Sequence, residues 1–385
     1  MRKSKITGPL CLVVLVGQHQ CSGQSFTQTI GGISSEVGIG ATALDNVYRV
    51  SVREWDVATT HQGGAVHTLS STGGSVSTAE LTIDGEVFLQ DHVNIGDGSA
   101  FLVGSMIPAG GVDHDGLVVK LNSDGSVAWI TQPSVPGTQQ YLAGAALPDG
   151  GAIVCGISRT NGVHEVLVAR IDESGALAWN HVEPSATDAE AHAVAVDGTT
   201  VMVTGRQRTF GGTDDVLFLR MDMDGTVIWN VTQGGAANEE CRAIISAGNG
   251  TFVAAGWTTS YGMRDLTRDT IPFHTYLVAI DLDGDTLWTK AAGDTLFERH
   301  VYAMQAAPNG DFLIAGERST TGLSDALLQR TTSLGELIWE RTIDTGKEER
   351  IVHLVPLADG LVGTGWSFGE FSNQLLFVRR NAEGF

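Results

Sequence analysis

Five tryptophans fall in one phase of a repeated phrase, and that phrase limits what the chain can fold into. Each copy is an aliphatic run, a turn ending in Gly, and a Trp four residues later. Residues 117–125 (LVVKLNSDG) lead to Trp129, and 167–175 (LVARIDESG) lead to Trp179. Residues 217–225 (LFLRMDMDG), 277–284 (LVAIDLDG) and 327–335 (LLQRTTSLG) lead to Trp229, Trp288 and Trp339. A weaker copy at 80–85 (ELTIDG) places Leu89 in the Trp position. A second element lies between these: Asp-Gly or Asn-Gly, then an apolar run ending in Gly. It occurs at 149–156, 249–256 and 309–316, with a worn copy at 359–365. A third precedes it, an acidic residue followed by an apolar-rich strand, starting at Glu190, Glu240 and Glu298.

Asp-Gly and Asn-Gly between apolar runs mark tight hairpins. Each unit therefore holds four short strands. The Trp spacings are 50, 50, 59 and 51 residues (129, 179, 229, 288, 339). Four strands in about 50 residues, repeated in phase, predict an all-β, seven-bladed β-propeller of four-stranded antiparallel blades. The markers are Phe26, Leu89, Trp129, Trp179, Trp229, Trp288 and Trp339; uneven spacing around Leu89 leaves six or eight blades as alternatives. The last copy, residues 375–384, stops before any Trp strand, while 25–32 (SFTQTIGG) resembles the segment after each Trp. The N-terminal strand is therefore expected to complete the last blade and close the ring, which removes an open edge.

Glycine is 49 of 385 residues and charged residues are 17%, against a usual charged share of about 25%. That suits short strands and tight turns. The net charge is −21, and after residue 5 the only lysines are Lys120, Lys290 and Lys347. Such a chain is repelled by phosphate backbones, which excludes nucleic acid as a partner. Arg2, Lys3 and Lys5 precede an apolar stretch of about 12 residues, and Cys21 and Gly23 suit a cut before Gln24. Residues 1–23 read as a signal peptide and 24–385 as one propeller domain. The apolar stretch is too short for a transmembrane segment. The mature chain is expected to be exported (periplasmic, outer-surface or extracellular) and monomeric. Acylation of Cys21 is the alternative. Cys155 and Cys241 fall in non-neighbouring units and read as free, buried thiols.

The 117–129 type of phrase is similar to the repeat of quinoprotein-type (PQQ-like) propellers. The fuller unit resembles secreted propeller repeats common in Bacteroidota. The resemblance spans roughly residues 24 to 385 and implies the fold rather than an activity.

Candidate sites come next. The in-phase Trp ring reads as packing between blades. Asp281, Asp283 and Asp285 are candidate calcium ligands, although Asp in a tight turn also bonds its own backbone. No other cofactor is expected. Glu190/His192 and Glu298/His300 occupy one point of two units, with Glu240/Arg242 between them. If that strand lines the channel, these side chains could hold zinc, but units apart on a ring they need not meet. A paired, solvated rim is the simpler expectation. Residues 257–274 lengthen one unit by about nine residues and hold Trp257, Tyr261, Arg264, Arg268, Phe273 and His274. This is the candidate binding loop, because exposed aromatics with Arg compose binding hot spots. Residues 55–64 are a second departure. No phosphate loop, nucleophile elbow, zinc-protease or haem motif occurs. The leading reading is a non-enzymatic module binding an extracellular protein or glycan. The alternatives are a propeller enzyme with an axial site (a quinoprotein-like dehydrogenase, glycosidase or lyase) and an envelope scaffold.

Overall fold

Twenty-eight strands form seven four-stranded antiparallel sheets, and no helix occurs among the described residues. The computed structural model describes residues 25–385 except 32–33, 46, 57–60, 134–136, 161, 321–322 and 370–371. The signal-peptide reading of residues 1–23 and the alternative at Cys21 lie outside them. Blades 1 to 6 span 35–80, 85–131, 138–183, 189–233, 239–292 and 298–343. Blade 7 combines 349–381 with 26–30. The first strand of each blade packs against the first strands of its neighbours, so these strands surround the axis.

The N-terminal strand closes the ring as expected. Phe26–Ile30 pairs antiparallel with Asn373–Asn381, from Phe26↔Arg379 to Ile30↔Leu375. Arg380 clamps this edge by donating to the Phe26 carbonyl at 2.7 Å and to the Thr27 hydroxyl at 2.7 Å.

The indoles pack as expected, and the structure shows how. Each outer-strand aromatic lies over the turn glycine of the next blade. A Cβ on Gly175 would lie 3.0 Å from Trp129, and one on Gly225 would lie 2.9 Å from Trp179. Gly284, Gly335 and Gly384 sit likewise against Trp229, Trp288 and Trp339, and Gly73 against Phe26. All of these glycines have φ between +77° and +89°, a left-handed conformation that side-chain-bearing residues resist. The turn is built by its first residue. Asp222 accepts from the amides of Asp224 and Thr226 at 3.0 and 2.9 Å, and Asp172 and Asn381 do the same in their turns.

One phase marker is corrected. Leu89 lies in the inner strand Gly85–Asn94 of blade 2, fully buried. The position equivalent to Trp129, opposite the residue before the bulge, is Ser77 in blade 1. The spacings become 51 and 52 residues (26 to 77, 77 to 129), and the apparent irregularity disappears. Ser77 is too small to reach the next blade, so the Arg49 side chain covers Gly125 instead and bonds the Ser123 carbonyl.

The apolar run ending in Gly has an equally local cause. Every inner strand carries a β-bulge at one level, for example between Ala191 and Ala193, Cys241 and Ala243, and Val301 and Ala303. There the inner-strand carbonyl presses on the second strand. A Cβ on Gly205, Gly256, Gly316 or Gly365 would lie 1.8–1.9 Å from that carbonyl oxygen. Only glycine fits.

Candidate functional site

Antiparallel order places two sets of connections on one face: those between second and third strands, and those between blades. We call this the loop face; the tight Asp-Gly turns lie on the other. The inner-strand bulges next to the loop face carry His192, Arg242 and Tyr302 in blades 4, 5 and 6. The residues two places earlier are Glu190, Glu240 and His300, followed by Arg350 in blade 7. This corrects the sequence alignment of Glu298 with Glu190. Glu298 pairs with Ser319 near the start of its strand, whereas His300 stands where Glu190 does. The two units differ in register by two residues, which a shared Glu-x-His pattern conceals.

The bulges bring these side chains together across blades. Glu190 accepts from Arg206 at 2.5 Å and meets His164 Nδ1 at 2.8 Å. His192 Nε2 lies 3.5 Å from Glu190 and 3.2 Å from Glu240. Arg242 Nε meets Glu240 at 2.5 Å, and its guanidinium lies 5.8 Å from the Tyr302 ring centre. Arg350 approaches the same ring at 4.5 Å, lies 5.3 Å from the Trp366 ring, and donates to Glu317 at 2.8 Å. Tyr302 donates to Glu317 at 3.0 Å. His192 and Glu240, expected only as neighbours on a ring, thus touch. His192 and His300 do not; Arg242 and Tyr302 stand between them. The zinc set of paired Glu and His from two units is not assembled.

Burial shapes the charges. Burial, with Arg242 and Arg206 nearby, holds the His192 imidazole well below its ordinary range and therefore neutral. Burial also pushes the Glu240 carboxyl up and outweighs the pull of Arg242 and Arg206. At Glu190 burial acts the same way, but His164 and Arg206 win and lower it. His300 is lowered by burial despite Glu317. The site presents neutral imidazoles among carboxyl groups that are already engaged. Arg242 spends its Nε on Glu240; its terminal nitrogens have no acceptor among the described residues.

The candidate loop divides into parts. Trp257 lies in the strand Thr251–Thr258 beside Glu240, edge-on to Phe273 at 4.9 Å. Phe273 in turn lies 4.5 Å from His300. Trp257 and Phe273 therefore join the channel mouth. Tyr261 stacks on Tyr276 at 5.5 Å and donates to the Gly234 carbonyl at 2.8 Å. Arg264 and Arg268 are exposed at the loop tip, paired with Asp269 and Asp265. His274 is fully buried, bonded to the Pro272 carbonyl at 2.7 Å and covered by Gly262 and Gly293. It faces the loop from beneath and offers no surface. Trp55 is exposed at the end of its strand; residues 57–60 of the second departure lie outside the described residues.

Asp281, Asp283 and Asp285 occupy one of the repeated turns. Asp281 accepts from the amides of Asp283 and Asp285 at 2.9 Å each, the same geometry as Asp222 and Asp172. Its inner oxygen serves the backbone.

The channel has a second opening on the turn face, with a cavity of about 590 Å³ lined by Thr42, Asp91, His92, Asn94, Gln305 and His353. Sequence reading missed this group, because it joins Asp91, His92 and Asn94 of blade 2 with single residues of blades 1, 6 and 7 that lie far apart in the chain. Asp91 is raised by burial to about 6 even though it accepts from the amides of Gly144 and His92. His92, bonded to Thr42 and Ser51, is lowered by burial to about 3, and His353 to about 4.

Comparison with known proteins adds the fold. No protein family and no curated protein matches the chain. Among solved structures, a periplasmic gluconolactonase from Pseudomonas aeruginosa is similar over 91% of this chain and 98% of its own, with TM-score 0.52 and 14% identity. Sqt1 from Chaetomium thermophilum is similar over 89% and 96%, with TM-score 0.50 and 11% identity. The β-propeller domain of the Trilobed protease from Pyrococcus furiosus covers 90% and 95%, with TM-score 0.52 and 7% identity. The likeness is one of fold. The last of these is described as having an open velcro topology, whereas here Phe26–Ile30 shuts the ring.

Cys155 and Cys241 are free and buried, in blades 3 and 5 with blade 4 between them. No helix among the described residues is long and apolar enough to cross a membrane.

Proposed function

We propose that the chain is an exported, non-catalytic propeller of the secreted, PQQ-like repeat type whose loop face docks a partner protein. One observation carries this reading. The most exposed large apolar side chains, Phe210, Leu266, Val112 and Leu296, all stand on the loops of that face, while those at the turns opposite, such as Leu334 and Phe385, are less exposed, at 63% and 60%. Phe210 is 91% exposed and Leu266 86%; Val112 and Leu323 lie on the matching connections of blades 2 and 6, Leu296 on the connection between blades 5 and 6, and Phe368 at the end of a second strand, and all are exposed. The channel mouth opens on the same face, where Arg242, Arg350, Tyr302 and Trp257 combine guanidinium and aromatic surface. Aromatic and Arg anchors within a ring of apolar contacts compose protein-docking surfaces. A glycan ligand is the competing outcome, since Trp257 and Trp366 also offer stacking faces.

The test is a protein and glycan array on the chain from residue 24, repeated with residues 258–273 deleted. A bound protein whose signal falls on deletion supports the reading. A bound glycan transfers the site to carbohydrate. Binding indifferent to the deletion removes the loop face from the account.

An enzyme with an axial site has one observation in its favour. Asp91, raised to about 6, shares a cavity with two neutral histidines, an arrangement suited to proton transfer. Turnover of lactone or glycoside substrates abolished by Asp91→Asn would favour it.

A further inference from the structure

Blade 1 departs from the repeat in three ways. It lacks the indole, with Ser77 in its place, and its outer strand Ser75–Glu80 is exposed throughout. It also carries Val52 where later blades place the bulge-facing glycine. On one face of this blade the Glu36 and Glu54 carboxylates and the His67 imidazole converge, their ligand atoms all within 4.8 Å of one another. Glu36 and Glu54 are cross-strand partners, and His67 reaches them from the third strand.

The His67 ring is set for a ligand. Its Nδ1 is fixed by the Thr78 hydroxyl at 2.8 Å, and its Nε2 points at Glu36 Oε2, 3.5 Å away. The side chain is 6% exposed, and neither Nε2 nor Glu36 Oε2 has a hydrogen-bond partner. A buried imidazole nitrogen left unbonded is costly unless something fills its lone pair. Glu54 also meets Glu80, so three carboxyl groups gather there. Among the described residues no Lys or Arg forms an ion pair with any of them. Beside Glu54 the chain has Gly63, where an added Cβ would touch only the His61 ring, at 4.0 Å.

We propose that Glu36, Glu54 and His67 bind a divalent transition-metal ion, zinc by their ligand chemistry, which clasps the first three strands of blade 1. One imidazole nitrogen with carboxylate oxygens suits zinc better than calcium, which takes oxygen only. Tetrahedral zinc with bonds of about 2.0–2.2 Å holds its ligand atoms about 3.4 Å apart. The Glu36–His67 separation already matches that, and Glu54 closes by a side-chain rotation. The Thr78 contact supplies the outer hydrogen bond that orients a ligating histidine. Glu80 or water completes the set.

The experiment uses the chain from residue 24, stripped with EDTA and then given Zn²⁺ alone. The wild type is expected to take up one equivalent and to rise in Tm on the order of 5 °C at saturating metal. His67→Gln and Glu54→Gln should each melt near the metal-free wild type and lose the rise. Asp283→Asn, in the turn of blade 5, and Asp325→Asn, in a second carboxylate group formed by Asp325, Asp344 and Glu349, should keep it. Co²⁺ in the wild type should give visible absorption of a nitrogen- and oxygen-ligated ion, a readout independent of how the variants fold. No uptake by the wild type, or uptake lost in Asp283→Asn or Asp325→Asn but kept in His67→Gln, overturns the proposal.

Discussion

The Trp179 indole lies across Gly225 of the following blade, and its Nε1 donates to the Met223 carbonyl of the same turn at 3.0 Å. One side chain thus fixes the turn by packing and by a hydrogen bond. Gly212 has nearly the same φ, 88° against 86°, but nothing within 4 Å of an added Cβ. Gly212→Ala should cost about 1–2 kcal/mol from backbone strain alone. Gly225→Ala should cost more, because the indole must also move. Paired denaturant titrations of the two variants check the difference; equal losses would mean the indole contact contributes little.

Acid should unfold the protein partly through the channel. His92 and His353 stay neutral in the fold, lowered to about 3 and about 4 from 6.5. As pH falls below 6.5 the unfolded chain takes protons first. Their contribution is therefore intact above about 6.5 and lost as pH falls through 4 and 3. Asp91, raised to about 6 from 3.8, acts with the opposite sign: its contribution is intact below 3.8 and lost as pH rises through 6. His353→Gln should flatten the acid side of the stability curve, by at most about 3 kcal/mol between pH 6.5 and 4. Stability measured at half-unit steps of pH reads this directly.

Arg380 should matter beyond its size. It holds the Phe26–Thr27 backbone and side chain to the last strand. Arg380→Ala is expected to lose about 1–3 kcal/mol and to loosen residues 26–30 before the rest. Hydrogen exchange should show faster amides in that strand alone; uniform exchange across the blades would contradict the clamp.

Arg242 is half-exposed at the channel mouth and belongs to no buried core cluster. Arg242→Ala should leave Tm within about 2 °C and weaken partner binding at least about tenfold, as removal of an interface anchor does. Calorimetry against a partner found on the array measures both. Unchanged affinity would place the docking centre elsewhere on the loop face.

The architecture was legible because its signals are local. A turn that needs a left-handed glycine and an indole that needs a flat surface beneath it leave the same letters in every unit, as at Gly175 and Trp129. Blade 1 misled the reading where Arg49 replaces the indole, since a substitution from another strand has no fixed spacing. The site was half legible. Glu190, His192, Glu240 and Arg242 stood out, but their contact depends on bulges that draw successive inner strands into one mouth. The two-residue shift that puts His300 opposite Glu190 was hidden by matching letters. Asp91, His92 and His353 were invisible, because the axis gathers residues that the chain keeps far apart.

The seam at Phe26 sets a timetable for maturation. The strand made first among the described residues must wait for its partner roughly 350 residues later. Until residues 373–381 are made, the strand Phe26–Ile30 has no partner, and Phe26 and Ile30 lack the Leu375 and Phe377 side chains they pack against. The wheel therefore locks only when both strands of the seam are present. A polypeptide threaded through a pore from its front end would stay pliable for the whole journey, then shut in a single late step on arrival.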